Sequence, residues 1–123
     1  MKLFLISILF VALQDPVTVI KNNGDELLLS DYRIYQSSSK ASASSLSYSH
    51  HGQKKSIALN QIKRISLKES VRKKKGVATF RVIIVKSNND KLEVEVDLVK
   101  IEGKNENGKL ESTGFGSVDK ISF

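Results

Sequence analysis

The sequence predicts an all-β protein: a small barrel or sandwich of about eight to ten antiparallel strands built from two sequence-related halves. Three observations carry this. Apolar and polar side chains alternate through Leu92, Glu93, Val94, Glu95, Val96 and Asp97, the pattern of a strand with one wet face. Asn23-Gly24 and Asn88-Asn89-Asp90 sit between apolar runs, where hairpin turns need residues that tolerate positive φ. The third is an internal match. Residues 56–67 (SIALNQIKRISL) align without a gap to residues 112–123 (STGFGSVDKISF), placing Leu59 on Phe115, Ile62 on Val118, Ile65 on Ile121 and Leu67 on Phe123.

In chain order, Met1-Lys2 precedes an apolar run from Leu3 to Leu13 interrupted by Ser7. One basic residue followed by about eleven apolar ones is the layout of a secretory signal, and a spanning helix needs roughly twenty. Gln14-Asp15-Pro16 ends the run. Residues 1–14 are therefore read as a signal peptide and residues 15–123 as one β domain, exported to the periplasm or the exterior. The sequence contains no cysteine, so neither disulfides nor thiolate metal sites hold the domain together.

Val17 to Ile20 and Val77 to Val85 read as strands, the second as a central strand covered on both faces. Leu27 to Tyr35 is another, opening on three leucines. Val19-Ile20-Lys21-Asn22-Asn23-Gly24-Asp25 parallels Ile84-Val85-Lys86-Ser87-Asn88-Asn89-Asp90, extending the match to each first hairpin. The half-repeats run from about 17 to 68 and from 77 to 123, joined by a basic linker, residues 69–76. Gln36 to Ser49 contains eight serines and reads as a loop. Ile62 and Ile65, three apart, suggest one 3₁₀ turn leading into the last strand of each half. Strand, 3₁₀ turn and closing strand resembles the end of small SH3-like or Sm-like barrels, in spacing and without a diagnostic motif.

The net charge of +7 is uneven. Lys54 to Lys86 holds eleven basic residues and one acid, Glu69. Within it, Lys63, Arg64, Lys68, Arg72, Lys73, Lys74 and Lys75 are the candidate anion-binding residues, since clustered cations attract polyanions and anionic surfaces. The partners this points to are an anionic polymer (surface polysaccharide, anionic lipid or nucleic acid), a membrane surface or another protein. Export would set nucleic acid aside.

Catalytic chemistry finds little support. His50 and His51 are adjacent, and neighbouring side chains of an extended segment diverge, so they read as exposed loop residues. Glu93, Glu95 and Asp97 read as a solvated row paired with basic neighbours. Gly114-Phe115-Gly116 lacks the following helix that a phosphate loop uses, and its glycines read as relief of crowding at a bend. The expectation is a non-catalytic binding or structural module with no cofactor and no metal. Polyanion binding through residues 54–86 is the alternative.

Overall fold

A computed structural model describes residues 16–36, 39–42, 44–74 and 77–123, by backbone alone at 39–42, 72–74 and 77. Among the described residues, eleven strands form one antiparallel sheet curled into a half-barrel. They are β1 (Val17–Lys21), β2 (Glu26–Gln36), β3 (Ser39–Ser42), β4 (Ser45–His50), β5 (Gln53–Ala58), β6 (Ile62–Lys74), β7 (Val77–Lys86), β8 (Lys91–Asp97), β9 (Lys100–Lys104), β10 (Leu110–Gly114) and β11 (Val118–Ser122). Two 3₁₀ turns, Leu59–Gln61 and Phe115–Ser117, lead into β6 and β11.

Across the sheet the order is β10-β9-β2-β1-β11-β6-β7-β8-β4-β5, with β3 paired to β2 off this path. At its middle β11 pairs with β6, Ile121 opposite Ile65 and each fully buried. Lys120 faces Ser66 and Ser122 faces Arg64. Outward from β11 come β1 and its hairpin partner β2; outward from β6 come β7 and its hairpin partner β8. Strands close in sequence are thus separated at the centre. β1 pairs with β11, about a hundred residues away.

One face of this curl is the core. Val17 and Val19 of β1, Val82 and Ile84 of β7, and Val94 and Val96 of β8 point into it at alternate positions, as the two-residue strand period requires. β7 is less enclosed than its apolar run suggests. Arg81 and Ile83 are half-buried, whereas Val85 on the same parity is buried.

Two segments expected to be irregular are strands. Ser45–His50 is β4, with Leu46 fully buried, Tyr48 packed against the core and Ser45, Ser47 and Ser49 between them. Serine composition concealed a period-two pattern. Glu69 to Lys74 continues β6 and pairs with β7 down to Val77; Lys75 and Gly76 lie outside the described residues.

The hairpins also differ in detail from a type I′ reading of Asn23-Gly24. Only Gly24 has positive φ there, and Asn89 takes the same slot between β7 and β8. Each turn is closed by the same bonds. Lys21 N–H donates to Asp25 O and Gly24 N–H to Lys21 O, as Lys86 N–H does to Asp90 O and Asn89 N–H to Lys86 O. This is a three-residue loop with its last residue left-handed. The two-residue turn with both φ positive is His51-Gly52, between β4 and β5.

β2 changes parity midway. Leu29 is buried, then Tyr32 and Ile34, because the register shifts between Ser30 and Arg33 with Asp31 at φ +48°. Gly103 of β9 admits this bulge: a Cβ there would lie 2.9 Å from Ser30 O. The end of β2 is tied down by Gln36, a buried amide. Its Nε2 donates to Ser47 O (2.8 Å) and Asp97 O (3.2 Å), while its Oε1 accepts from Ser47 N–H (3.0 Å).

Candidate functional site

The first 3₁₀ turn begins where Ala58 is still extended and closes when Ile62 N–H donates to Leu59 O. Leu59 is driven inward by burial, and its N–H donates to Ser44 O at 2.8 Å. From the other side the tip of the β7–β8 hairpin reaches the turn, Ser87 N–H donating to Gln61 O at 2.9 Å. Between these elements lies an open cleft of about 650 Å³. Its floor is Val17, Tyr32, Leu59, Ile62 and Phe123. Tyr32 and Phe123 meet edge to face with ring centres 6.0 Å apart, a favoured aromatic geometry. The rim is polar: Ser44, Asn60, Lys63, Ser87 and Asn89. Lys63 Nζ donates to Asn89 Oδ1 at 3.1 Å.

A second cleft, of about 520 Å³, lies beside the second 3₁₀ turn. Gly114 is extended, Val118 N–H donates to Phe115 O, and Phe115 is buried with its N–H on Val99 O at 3.2 Å. Here the tip of the β1–β2 hairpin reaches over: Asn22 N–H donates to Ser117 O at 2.9 Å, and Asn22 Nδ2 to Gly116 O at 3.0 Å. Leu67, Phe80, Leu98, Phe115 and Val118 form the apolar lining. Lys68, Glu69 and Asp119 supply charges of both signs. A Cβ on Gly116 would meet nothing within 4 Å, and one on Gly114 only Val99 O at 4.0 Å, so crowding does not explain these glycines.

Of the basic residues marked in the sequence, Lys63, Arg64 and Lys68 lie along β6 with, by backbone, Arg72, Lys73 and Lys74. Lys63 borders the first cleft and Lys68 the second. Arg64 is half-buried beside Ser122 of β11. Arg72, Lys73 and Lys74 lie at the far end of β6, in backbone register with Thr79, Ala78 and Val77; Lys75 is outside the described residues. At about 3.3 Å per residue, Lys63 and Lys74 are roughly 36 Å apart along the strand. Register shifts at three points of the β6–β7 pairing break the facial alternation between them.

In the acidic row Glu93 is exposed and Glu95 and Asp97 are half-buried. Arg81, opposite Glu95 in register, bonds Glu69 on β6 and approaches Glu93 on β8 at 3.9 Å. Among the described residues no group of three histidine, cysteine or acidic side chains could hold a metal ion. The histidine pair departs from expectation. His50 ends β4 and His51 opens the turn, and their rings lie 4.0 Å apart at a tilt of 46°. The left-handed backbone of His51 (φ +52°) swings its side chain alongside its neighbour's. Partial desolvation, then the charges of His51 and Lys55, hold His50 below its usual pKa.

Sequence reading did not single out Tyr32, Ser44, Ser87, Asn89 or Phe123 as members of one site. The available signal was the parallel between the two hairpin tips, Asn22 and Ser87, since each tip caps the other block's 3₁₀ turn. Comparison with protein families, with characterised proteins and with solved structures finds no match to this chain.

Proposed function

We propose that this chain is an exported, non-catalytic binding module that presents two clefts on two copies of one structural unit. The observation that carries the proposal is the correspondence of the clefts. Each is built from a 3₁₀ turn, the first residues of the strand after it, and the tip of the hairpin from the opposite block. The sheet order supports the duplication, because β1, β2, β9 and β10 follow β11 as β7, β8, β4 and β5 follow β6. Apolar floors with a few polar rim groups, in volumes of several hundred Å³, are the usual form of small-ligand sites. Export rests on the apolar run from Leu3 to Leu13 and its single preceding lysine.

Titration of isotope-labelled protein with indole, a neutral apolar probe, tests the clefts. Amide shifts are expected to concentrate at residues 59–63 with 87–89, and at 115–119 with Asn22. Shifts spread along β5 and β10, the two ends of the sheet, would contradict the reading. Mass spectrometry of protein taken from the cells that make it tests export: a chain beginning at or close to residue 15 is expected, and one retaining Met1 contradicts it.

A further inference from the structure

We propose that two copies of this chain join through β10, edge to edge and antiparallel about a twofold axis at Ser112, each Leu110 lying over Gly114 of the other copy. Three observations at one end of the sheet carry this. β10 ends the sheet there: it pairs with β9 and, among the described residues, with no strand beyond it. Leu110 is 70% exposed, and Val99, at the base of the same hairpin, is 45% exposed. Gly114 needs neither an unusual backbone nor extra room: its φ is −69°, and an added Cβ would meet only Val99 O at 4.0 Å. Close approach of another chain supplies the reason for a glycine that its own chain does not.

The phase of the ladder sets the register. Asn105 N–H donates to Lys109 O and Phe115 N–H to Val99 O, at the two ends of the β9–β10 hairpin. Bonded and non-bonded pairs alternate along an antiparallel ladder. Glu111 with Gly103, and Thr113 with Ile101, are therefore the bonded pairs between them. Leu110, Ser112 and Gly114 turn their N–H groups outward, and Leu110 and Ser112 their C=O groups as well. A second β10, set antiparallel with Ser112 opposite Ser112, meets these groups with its own. Leu110 then stands opposite Gly114, where the missing side chain leaves space for the leucine. Glu111 falls opposite Thr113, so no like charges are directly opposed, and its carboxylate already accepts from Asn105 Nδ2 at 2.8 Å.

This self-complementarity names the occupant as a second copy. The exposed leucine and the bare glycine sit on one strand, two positions either side of Ser112, and a twofold contact satisfies both at once and closes at two chains. The other end of the sheet makes the contrast. β5 presents Lys54 and Lys55, both exposed, the charges by which edge strands resist such pairing. β10 contains no lysine.

Analytical ultracentrifugation of the whole chain should show a reversible monomer–dimer equilibrium. Leu110→Lys should weaken it about tenfold or more, through the lost burial of the leucine. Ser112→Pro should abolish it and leave cooperative melting intact, because that N–H points away from β9. The sequence has no cysteine, so an oxidised Ser112→Cys variant reports the register. Opposed bonded residues have Cα atoms about 5.5 Å apart, within reach of a disulfide. Ser112→Cys should bridge two copies, and Lys55→Cys should not.

A chain that stays monomeric to about 1 mM would overturn the proposal. So would association that grows past the dimer, the sign of β5 joining β10 head to tail. A dimer that survives both Leu110→Lys and Ser112→Pro, or that bridges no better through Ser112→Cys than through Lys55→Cys, would overturn it too. Should Ser112→Pro lose its cooperative melt, Leu110→Lys decides.

Discussion

Beside the first 3₁₀ turn stand Asn60 and Lys63; beside the second, at the positions the sequence alignment sets opposite them, stand Gly116 and Asp119. The floors at matched positions stay apolar, Leu59 against Phe115, Ile62 against Val118, Phe123 against Leu67. The difference has a physical source. The frame of each cleft is held by main-chain bonds, Leu59 N–H to Ser44 O and Ser87 N–H to Gln61 O in one, Phe115 N–H to Val99 O and Asn22 N–H to Ser117 O in the other. Main-chain bonds place no demand on which side chain the rim carries. The rim is free to reverse its charge; the floor must remain apolar because the core lies beneath it.

The largest effect that could break this comparison comes from its centre. Deleting Val118 to Phe123 removes β11 from between β1 and β6, and a thermal melt followed by circular dichroism should lose its cooperative transition. An unchanged cooperative melt would show that the centre of the sheet is not where the two blocks are joined. Next in size are Ile65→Ala and Ile121→Ala. Both side chains are fully buried and face each other, so each should cost about 2–5 kcal/mol in urea unfolding. If the two halves are copies, the two costs should be similar; clearly unequal costs would count against the duplication.

Gly103→Ala sharpens the contrast between the blocks, since the bulge it accommodates belongs to β2. The added Cβ would press on Ser30 O at 2.9 Å and on Leu29 Cβ and Tyr32 Cα at 3.1 Å. Overpacking of this kind should destabilise by about 1–3 kcal/mol.

The smallest effect is at His50. Its proton affinity is lowered in the fold by desolvation and then by His51 and Lys55, so the unfolded chain takes up the proton more readily. His50's contribution is therefore complete above its ordinary pKa of about 6.5 and is lost as pH falls through its lower folded value. An NMR titration should place the His50 midpoint below that of an unstructured histidine, and His51→Gln should raise it.

Much of the fold was legible because strands declare themselves by alternation. β8 announced itself through Val94 and Val96 among acids. A 3₁₀ turn before the last strand of each half was expected, but at Ile62 and Ile65, which belong to β6; the turns lie just ahead, at Leu59–Gln61 and Phe115–Ser117. β4 was concealed because serine signals loops by composition, although Leu46 and Tyr48 keep the two-residue period. The bulge in β2 was not legible either, since it depends on Gly103, far away in sequence. The clefts were the least legible feature. Their parts come from hairpin tips and turns that are neighbours only once β1 pairs with β11 and β7 with β6. Lys63 was marked for its charge, but Arg64 and Lys68 of the same run do not line its cleft.

Because β1 is paired to β11 and β6 to β7, the strands on either side of the sheet's centre are expected to open together. Native-state amide hydrogen exchange tests this directly. β1 and β2 should exchange with the same opening free energy as β7 and β8, with Ile65 and Ile121 among the slowest amides, and Ile121→Ala should lower all of them together. Protection that survives in β7 and β8 after β1 and β2 have opened would contradict the account.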